Sequence, residues 1–560
     1  MEKVSEKTLD KLPKYQRAMA KVHLGSCGTS YKELKRPIIA VVNSWNEIVP
    51  GHCHLRELAE YVKKGILEAG GLPLEFNTIA ICDGIAHAHE GMKYVLPSRD
   101  LIADSVEAMI RGHGIFDGMI MIASCDKIVP GMLMAAARLN IPGIMVTGGP
   151  MINKITPGES KKVRQSFLRY EVTEEELFDA VMDYYPTPGI CPLLGTANTM
   201  CVVAEALGIT LPGSASIPAM SKERKELAER TGRTIIEIVE RGVCPKDILV
   251  PEAFENAISV VLAMGGSLNS VLHLPAIAHE CGSSVTFRDF DRISRVTPLI
   301  VRIAPSSSEY TMADLYNVGG LLAVMNELQP ILHSDLATVT GETLGERLVG
   351  AKNADGKIIR PFTQPFSSES GLAVLEGNLA PEGAVVKTSA VPDELKIYRG
   401  LARVFNGQDE CMAAMETDDQ IQEGDVIVIR YEGPIGGPGM REMHRISEQL
   451  AMKFSRIAVV TDGRFSGASA GLSVGYLSPE AAEGGPIALV ENGDSISIDI
   501  TGRNIHWHVT EEELAARRER FQVNVGQKTE SSFLNLYRSH ATSASTGAIR
   551  ANSQRKANLP

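Results

Sequence analysis

A thiol, a carboxylate and an amine stand on consecutive residues at Cys125-Asp126-Lys127, directly after Ser124. Cys82-Asp83 repeats the first two. Thiolates suit iron–sulfur clusters and carboxylates suit magnesium or manganese, so the two pairs suggest two kinds of metal in one pocket. Lys127 is the odd member, because an ammonium cannot ligate a cation. Three more positions offer usable groups. Cys191 precedes a predicted helix start, where the helix dipole would favour a thiolate. Glu442 follows the Gly/Pro-rich turn Gly433–Gly439 and reads either as a third hard-metal carboxylate or as a surface Glu in a first helical turn. Ser466, within Thr461–Ser469, reads either as a reactive serine at a strand exit or as a helix N-cap, and it lacks G-x-S-x-G spacing. His52-Cys53-His54 and His87-x-His89 look like zinc fragments, but neither has a second half at ligand spacing.

Positioning these groups requires strand exits. Met119–Ala123 is an apolar run that predicts a buried strand ending at the tetrapeptide, and Thr78–Ile81 does the same before Cys82. Pro37–Val42 and Ile144–Thr147 add two more, ending at Asn43-Ser44 and Gly148-Gly149. Helical spacing falls between them at Leu55–Ala69, about Ser98–Arg111 and around Met132–Leu139. This βαβ rhythm predicts a parallel sheet with right-handed crossovers, whose ligands bind beyond the carboxyl ends of the strands. Residues 173–348 read as mostly helical. Arg360–Gly371 reads as a linker, after which short β-rich runs (Asp425–Arg430, Ile457–Val460, Ser495–Ile500) alternate with Gly-rich turns, predicting a barrel or a sandwich. The expected fold is an α/β N-terminal domain with a parallel sheet, residues 1–365, and a β-rich, barrel-like C-terminal domain, residues 372–560, carrying Glu442 and Ser466. No internal repeat is present.

The 560 residues are 44% hydrophobic, enough for two or more domains. A net charge of −12 with no long basic block argues against nucleic acid and anionic membrane as partners. The longest uncharged stretch, Asn256–Ala278, holds Gly265-Gly266, Asn269, His273 and Pro275, so it reads as a buried helix and loop rather than a membrane span. No basic segment followed by an apolar one opens the chain, so no signal peptide is expected. Nine scattered cysteines without a C-x-x-C pair predict reduced thiols and a cytoplasmic location. Any one of them, taken alone, reads first as a small buried hydrophobe.

In order along the chain, these motifs closely resemble the dihydroxy-acid dehydratase and sugar-acid dehydratase family. The resemblance runs from about residue 36 to 550 and includes NSWNEIVPGH from Asn43, CDGIA from Cys82, LPSRDLIADSVE from Leu96 and CDKIVPGMLMAAARLNIP from Cys125. It continues through TANTM from Thr196, AMGGSLNSVLHL from Ala263, IRYEGPIGGPGMREM from Ile429, TDGRFSG from Thr461 and SPEAAEGGPIALVENGD from Ser478. The Asn-Glu-Ile-Val-Pro-Gly-His form is closer to the dihydroxy-acid branch than to the aldonate branch. The resemblance implies a homodimer with the site between its two domains. It implies an iron–sulfur cluster, 2Fe-2S in preference to 4Fe-4S, on Cys125 and Cys191. It also implies a magnesium ion on Asp83, Asp126, Glu442 and Lys127, the last as a carbamate, and Ser466 as the base. Cys82 reads as structural. Many relatives have a third cluster cysteine where this chain has Gly51, and Cys53 lies two residues on. His87-Ala88 stands where Met-Gly is common, and Tyr476 where His is usual. The implied reaction is dehydration of a small 2,3-dihydroxy acid to a 2-oxo acid. The substrate is expected to be 2,3-dihydroxy-3-methylbutanoate in branched-chain amino-acid synthesis. An aldonate dehydratase and a non-catalytic cluster-binding relative are the alternatives.

Overall fold

Four strands from the first third of the chain form a parallel sheet: β1 (Ile38–Asn43), β2 (Leu72–Asn77), β3 (Gly118–Ala123) and β4 (Gly143–Thr147). Their order is β2-β1-β3-β4, so β1 and β3 are central. This is a computed structural model of the chain, describing residues 11–551 apart from 88, 417–419, 468–470, 523 and 525. β1, β3 and β4 are buried at every position, which is why they read as unbroken apolar runs. β2 is an edge strand with half-exposed positions, and it occupies Leu72–Asn77 rather than the predicted Thr78–Ile81. The misplacement has a simple cause. The true strand carries Glu75 and Asn77 on its open side, while the apolar run after it is irregular chain with Ile79 exposed. The crossover helices Leu55–Glu68, Val95–His113 and Ile128–Leu139 fall where expected, each within a few residues. Ile128–Leu139 is buried along nearly its whole length, against Val95–His113, Thr196–Ala206 and Ser270–Cys281.

The second half is a closed eight-stranded barrel. Its strands are β5 (Ala373–Gly377), β6 (Ala380–Val386), β7 (Ile397–Phe405), β8 (Val426–Ile429), β9 (Ala458–Thr461), β10 (Leu472–Ser478), β11 (Ser495–Asp499) and β12 (Asn504–His508). They run β10-β6-β5-β12-β11-β7-β8-β9, and β9 pairs with β10 to close the ring. Closure leaves no unpaired edge. Strand alternation divides the apolar side chains. Val426, Val428, Ala458 and Val460 fill the barrel, whereas Ile427, Ile429, Ile457 and Val459 face outward into the core of the α/β half. The two halves therefore share an apolar seam. Among the described residues no helix is long and apolar enough to cross a membrane.

Candidate active site

The chain leaves β3 through Ser124 and turns sharply at Cys125, whose φ of 47° lies in the left-handed region. A non-glycine residue held there is strained locally, a feature that clusters at functional sites. The turn delivers Lys127 as N-cap of the helix Ile128–Leu139, with its side chain wholly buried. Its Nζ lies 3.1 Å from Asp83 Oδ2 and 3.7 Å from Asp126 Oδ2. Asp83 opens the short helix Asp83–Ala86, and its Oδ1 is buried without a hydrogen-bond partner. Burial, then the Asp83 charge, raises the Asp126 carboxyl to about 7, with Glu442 adding to the rise and Lys127 and Arg464 opposing it. Three carboxylates and two cations thus act on one another in one space.

The other half of the site arrives from the barrel. β8 and β9 are adjacent and parallel, in register as far as Ile429 and Thr461, so their carboxyl ends point the same way. Parallel pairing recurs beyond the turns, in a different register, as an isolated bridge between Glu442 and Arg464. Asp462 braces the two exits by accepting from the backbone N–H of Tyr431, Glu432 and Ala481. Arg464 is fully buried. Its Nη1 donates to Glu442 Oε2 at 3.0 Å and to Asn269 Oδ1 at 3.1 Å, and its Nε donates to the Met440 carbonyl at 2.6 Å. Asn269 donates in turn to Thr196 Oγ1 at 2.9 Å and toward Glu442 Oε2 at 3.4 Å. Tyr476 donates to Asn269 Oδ1 and to the Phe465 carbonyl. Burial pushes the Glu442 carboxyl up, but Arg464, Lys127, the Ser466 hydroxyl bonded to it and nearby His87 outweigh that and hold it below the usual range. Glu442 is therefore a buried carboxylate ahead of the helix His444–Lys453, not a surface residue in its first turn. Ser466 lies in irregular chain after β9, where no described helix begins.

Burial, then Asp126 and Cys191, raises the Cys125 thiol well above its ordinary value. The Cys191 thiol is raised to about 12 by burial, then by Asp126 and Cys82. By accessible surface Cys191 is nonetheless exposed and Cys125 half-buried. The expected help from a helix dipole is not realised. The next helix is Thr196–Ala206, capped by Gly195, and Cys191 lies upstream with its carbonyl accepting from Asn198 Nδ2 at 2.8 Å. Cys82 acts on both thiols, so three cysteines rather than two border this region. Gly51 presses on the same spot. A Cβ there would lie 2.6 Å from Cys125 Sγ. Cys53 Sγ turns away, 3.4 Å from the Pro50 carbonyl.

The zinc fragments are used otherwise. His52 Nδ1 pairs with the Ser44 carbonyl at 2.8 Å and His54 Nε2 with the Gly148 carbonyl at 2.9 Å, fastening the Val49–His54 turn to the exits of β1 and β4. Burial lowers both to about 4, so they are neutral at pH 7. The His87 ring lies 5.6 Å from that of His444, beside Glu442.

The donor set suits two metal groups by type. Soft thiols and hard carboxylates act on one another within it. Two thiols held well above their ordinary range, with no cation bonded to them, become thiolates readily only beside a metal. Asp83 Oδ1, buried and unpartnered, is an acceptor waiting for a donor or a cation. Among the described residues, no three His, Cys, Asp or Glu side chains enclose a single point as a metal shell. The Lys127 amine lies between Asp83 and Asp126 instead. A carbamate on that amine would turn the obstructing group into an oxygen donor. Arg464 and Asn269 are the residues that sequence reasoning passed over, whereas Tyr476 stood out as a departure from the family pattern. Arg464 and Asn269 sit inside quoted motifs, but only the pairing beyond β8 and β9 reveals what they hold.

Comparison with known proteins agrees over nearly the whole chain. The family description "Dihydroxy-acid/6-phosphogluconate dehydratase N-terminal" matches residues 36–347, and its C-terminal counterpart matches residues 357–548. The chain is 49% identical to a protein named dihydroxy-acid dehydratase from Pyrococcus abyssi, covering 95% of this chain and 98% of that one. It is 49% identical to one of the same name from Caldicellulosiruptor saccharolyticus, covering 98% and 99%. A third, from Pyrococcus furiosus, is 50% identical, with 93% and 96% covered.

Proposed function

The chain belongs to the dihydroxy-acid/6-phosphogluconate dehydratase family, and we propose that this hydro-lyase converts 2,3-dihydroxy-3-methylbutanoate to 3-methyl-2-oxobutanoate in branched-chain amino-acid synthesis. The observation that carries the reading is one convergence. Asp126 and Lys127 from the sheet's carboxyl edge, with Asp83 against both, act on Glu442, which bonds Ser466 from the barrel. Cys125 and Cys191 border the same space.

On this proposal Cys125 and Cys191 hold an iron–sulfur cluster, of the 2Fe-2S kind, and Asp83, Asp126, Glu442 and carbamylated Lys127 hold magnesium. When bound, the two groups supply Lewis acidity toward the substrate's oxygens. The reaction breaks the C2–H and C3–O bonds and releases water, and the enol left behind tautomerises to the 2-oxo acid. Ser466 takes the C2 proton. For that its own hydroxyl must first give up a proton, which balances the one the departing C3 hydroxide takes up to leave as water, and the site prepares this in two ways. The serine O–H points at the Glu442 carboxylate, while Arg464 brings positive charge to the same carboxylate. Arg464 and Asn269 fix Glu442 from the other side, so the serine meets its partner in one orientation. Buried walls of Tyr476 and Phe465 keep bulk water from the turn carrying Ser466. One observation favours an aldonate instead. His87 and His444 give the site a polar flank, and His444 Nδ1 is buried without a partner that an extra substrate hydroxyl could supply. A homodimer in a reducing cytoplasm completes the proposal. The nine cysteines are all free thiols, and sedimentation tests the dimer.

The test is an assay for 2-oxo acid after anaerobic reconstitution with iron, sulfide and magnesium, offering the branched-chain dihydroxy acid and an aldonate side by side. Turnover of the first at the higher kcat/KM is expected. No turnover of it would sink the substrate assignment. Ser466→Ala is expected to lose ~10²–10⁴-fold in kcat, and a loss under about tenfold, ~1.4 kcal/mol, would remove Ser466 as the base.

A further inference from the structure

Lys387 follows β6 and is 3% exposed. Its Nζ donates to the carbonyl of Gly467 at 2.6 Å. Among the described residues that is the amine's one hydrogen bond, and burial lowers the amine to about 8. No carboxylate of the described residues lies near enough to act on it. The surroundings place the amine at a junction. A carbon built on Gly467 would stand 3.6 Å from Lys387 Nζ, 3.0 Å from the Leu194 carbonyl and 3.5 Å from Ser267 Cα. The turn carrying Ser466 therefore meets the Cys191–Thr196 loop where this lysine ends. Ser267 belongs to the same knot, since its Oγ bonds Thr196 Oγ1, which also bonds Asn269.

A buried ammonium without a counter-charge is expensive, and an apolar side chain of similar length would avoid the cost. The amine is therefore poor value as packing. As a tether it has a clear use, because a hydrogen bond from a charged donor is shorter and stronger than a neutral one. Resting on the reading of Ser466 as base, we infer that Lys387 is a positioning residue for it: by pinning the Gly467 carbonyl, it holds the serine hydroxyl on Glu442 and the barrel turn on the cluster-side loop. The lysine touches no reacting atom. Its effect passes through the geometry of the Ser466–Gly467 turn.

Lys387→Met keeps the length and removes both charge and donor. Measured on reconstituted protein, it is expected to lower kcat ~100-fold, the usual cost of a small misplacement of a catalytic group. KM is expected within about threefold of the parent. Iron, sulfide and magnesium content are expected unchanged, and the melting temperature equal or higher, since an uncompensated charge has gone. Lys387→Arg, which restores a charged donor, is expected to recover at least about tenfold of the lost kcat. A Lys387→Met protein of unchanged stability with kcat within about threefold of the parent would overturn the inference. So would a kcat loss that tracks a lowered melting temperature and is shared by the Arg variant, because the lysine would then be packing only. If Lys387→Met does not fold, Lys387→Gln is read against Lys387→Arg in the same way. Ser466→Ala separates the two levels. If it stays active, the reading of the base fails. If it is inactive while Lys387→Met is fully active, only the tether fails.

Discussion

Gly51→Ala tests whether the Cys125 thiol must stand where the structure places it. The new methyl would lie 2.6 Å from Cys125 Sγ, against an ordinary contact of roughly 3.5–4.0 Å, so one partner has to move by about 1 Å. The glycine side cannot retreat easily. Its turn is fixed by His52 N–H to the Val49 carbonyl at 2.8 Å, by Gly189 N–H to the Pro50 carbonyl at 2.9 Å and by His52 Nδ1 to the Ser44 carbonyl at 2.8 Å. Ser124 Cβ at 3.5 Å and the Gly189 carbonyl at 3.6 Å already touch the new carbon. The sulfur is the softer partner, one torsion from a rigid backbone, so Cys125 swings away. The strain is that of a small overpacking, ~1–3 kcal/mol, and the fold survives it. The thiol no longer points where the proposed cluster needs it. We expect Gly51→Ala to purify folded, and after anaerobic reconstitution to hold less than about half the iron and acid-labile sulfide of the parent, with altered visible absorption. Full iron and sulfide with an unchanged spectrum would refute the reasoning, because the cluster would not then depend on this position of Cys125.

Three further outcomes are expected. Arg464→Met leaves Glu442 buried without its nearest cation and should cost ~3–5 kcal/mol in chemical denaturation, with loss of turnover; a change under about 1 kcal/mol would mean that Lys127 alone balances the carboxylate. Lys127→Arg keeps the charge but cannot become a carbamate, so magnesium affinity by calorimetry should fall more than tenfold, and bicarbonate should raise affinity in the parent alone; equal affinity in both proteins would exclude the carbamate. His52 and His54 sit at about 4 when folded, against ~6.5 when unfolded, so between those values the unfolded chain binds protons that the folded chain refuses. Their contribution to stability is therefore full above about pH 6.5 and is lost as pH falls toward 4, ~3 kcal/mol for each histidine. Denaturation of the metal-free protein from pH 7 to 4 should show a shallower fall in His52→Gln, and an unchanged slope would exclude this source.

What could be read from the residues, and what could not, divides along physical lines. β1, β3 and β4 were legible because both their faces are covered, which leaves an unbroken apolar signature. β2 was misplaced because an edge strand carries polar side chains and the apolar run beside it is only loop. Closure into a barrel, rather than a sandwich, depends on β9 pairing with β10, which no local pattern records. The approach of Glu442 to Ser466 depends on the parallel register of β8 and β9 in the same way. The expected dipole help at Cys191 is absent for another reason: the helix starts several residues later, and without a metal burial, Asp126 and Cys82 raise the thiol.

The oddity of Lys127 takes on a sharper meaning in the folded chain. Three carboxylates, Asp83, Asp126 and Glu442, share buried space with two cations, Lys127 and Arg464, and the lysine occupies the place between the two aspartates. In that state the site is close to self-neutral, and a magnesium ion would compete with an ammonium already in contact. Removing the lysine altogether would leave buried carboxylates facing one another, since Asp83 already drives Asp126 upward. Carbamylation changes the same side chain from one positive charge to one negative, a swing of two within about 4 Å of two carboxylates. At an effective dielectric of 20 each unit pair at that distance is worth ~4 kcal/mol, so the swing converts a site that repels a cation into one that requires it. On the proposed function, a lysine between the aspartates keeps the metal-free chain foldable and also becomes the ligand that commits the site to magnesium. A glutamate at 127 would supply the ligand without the first property, and a lysine that stayed an ammonium would supply only the first.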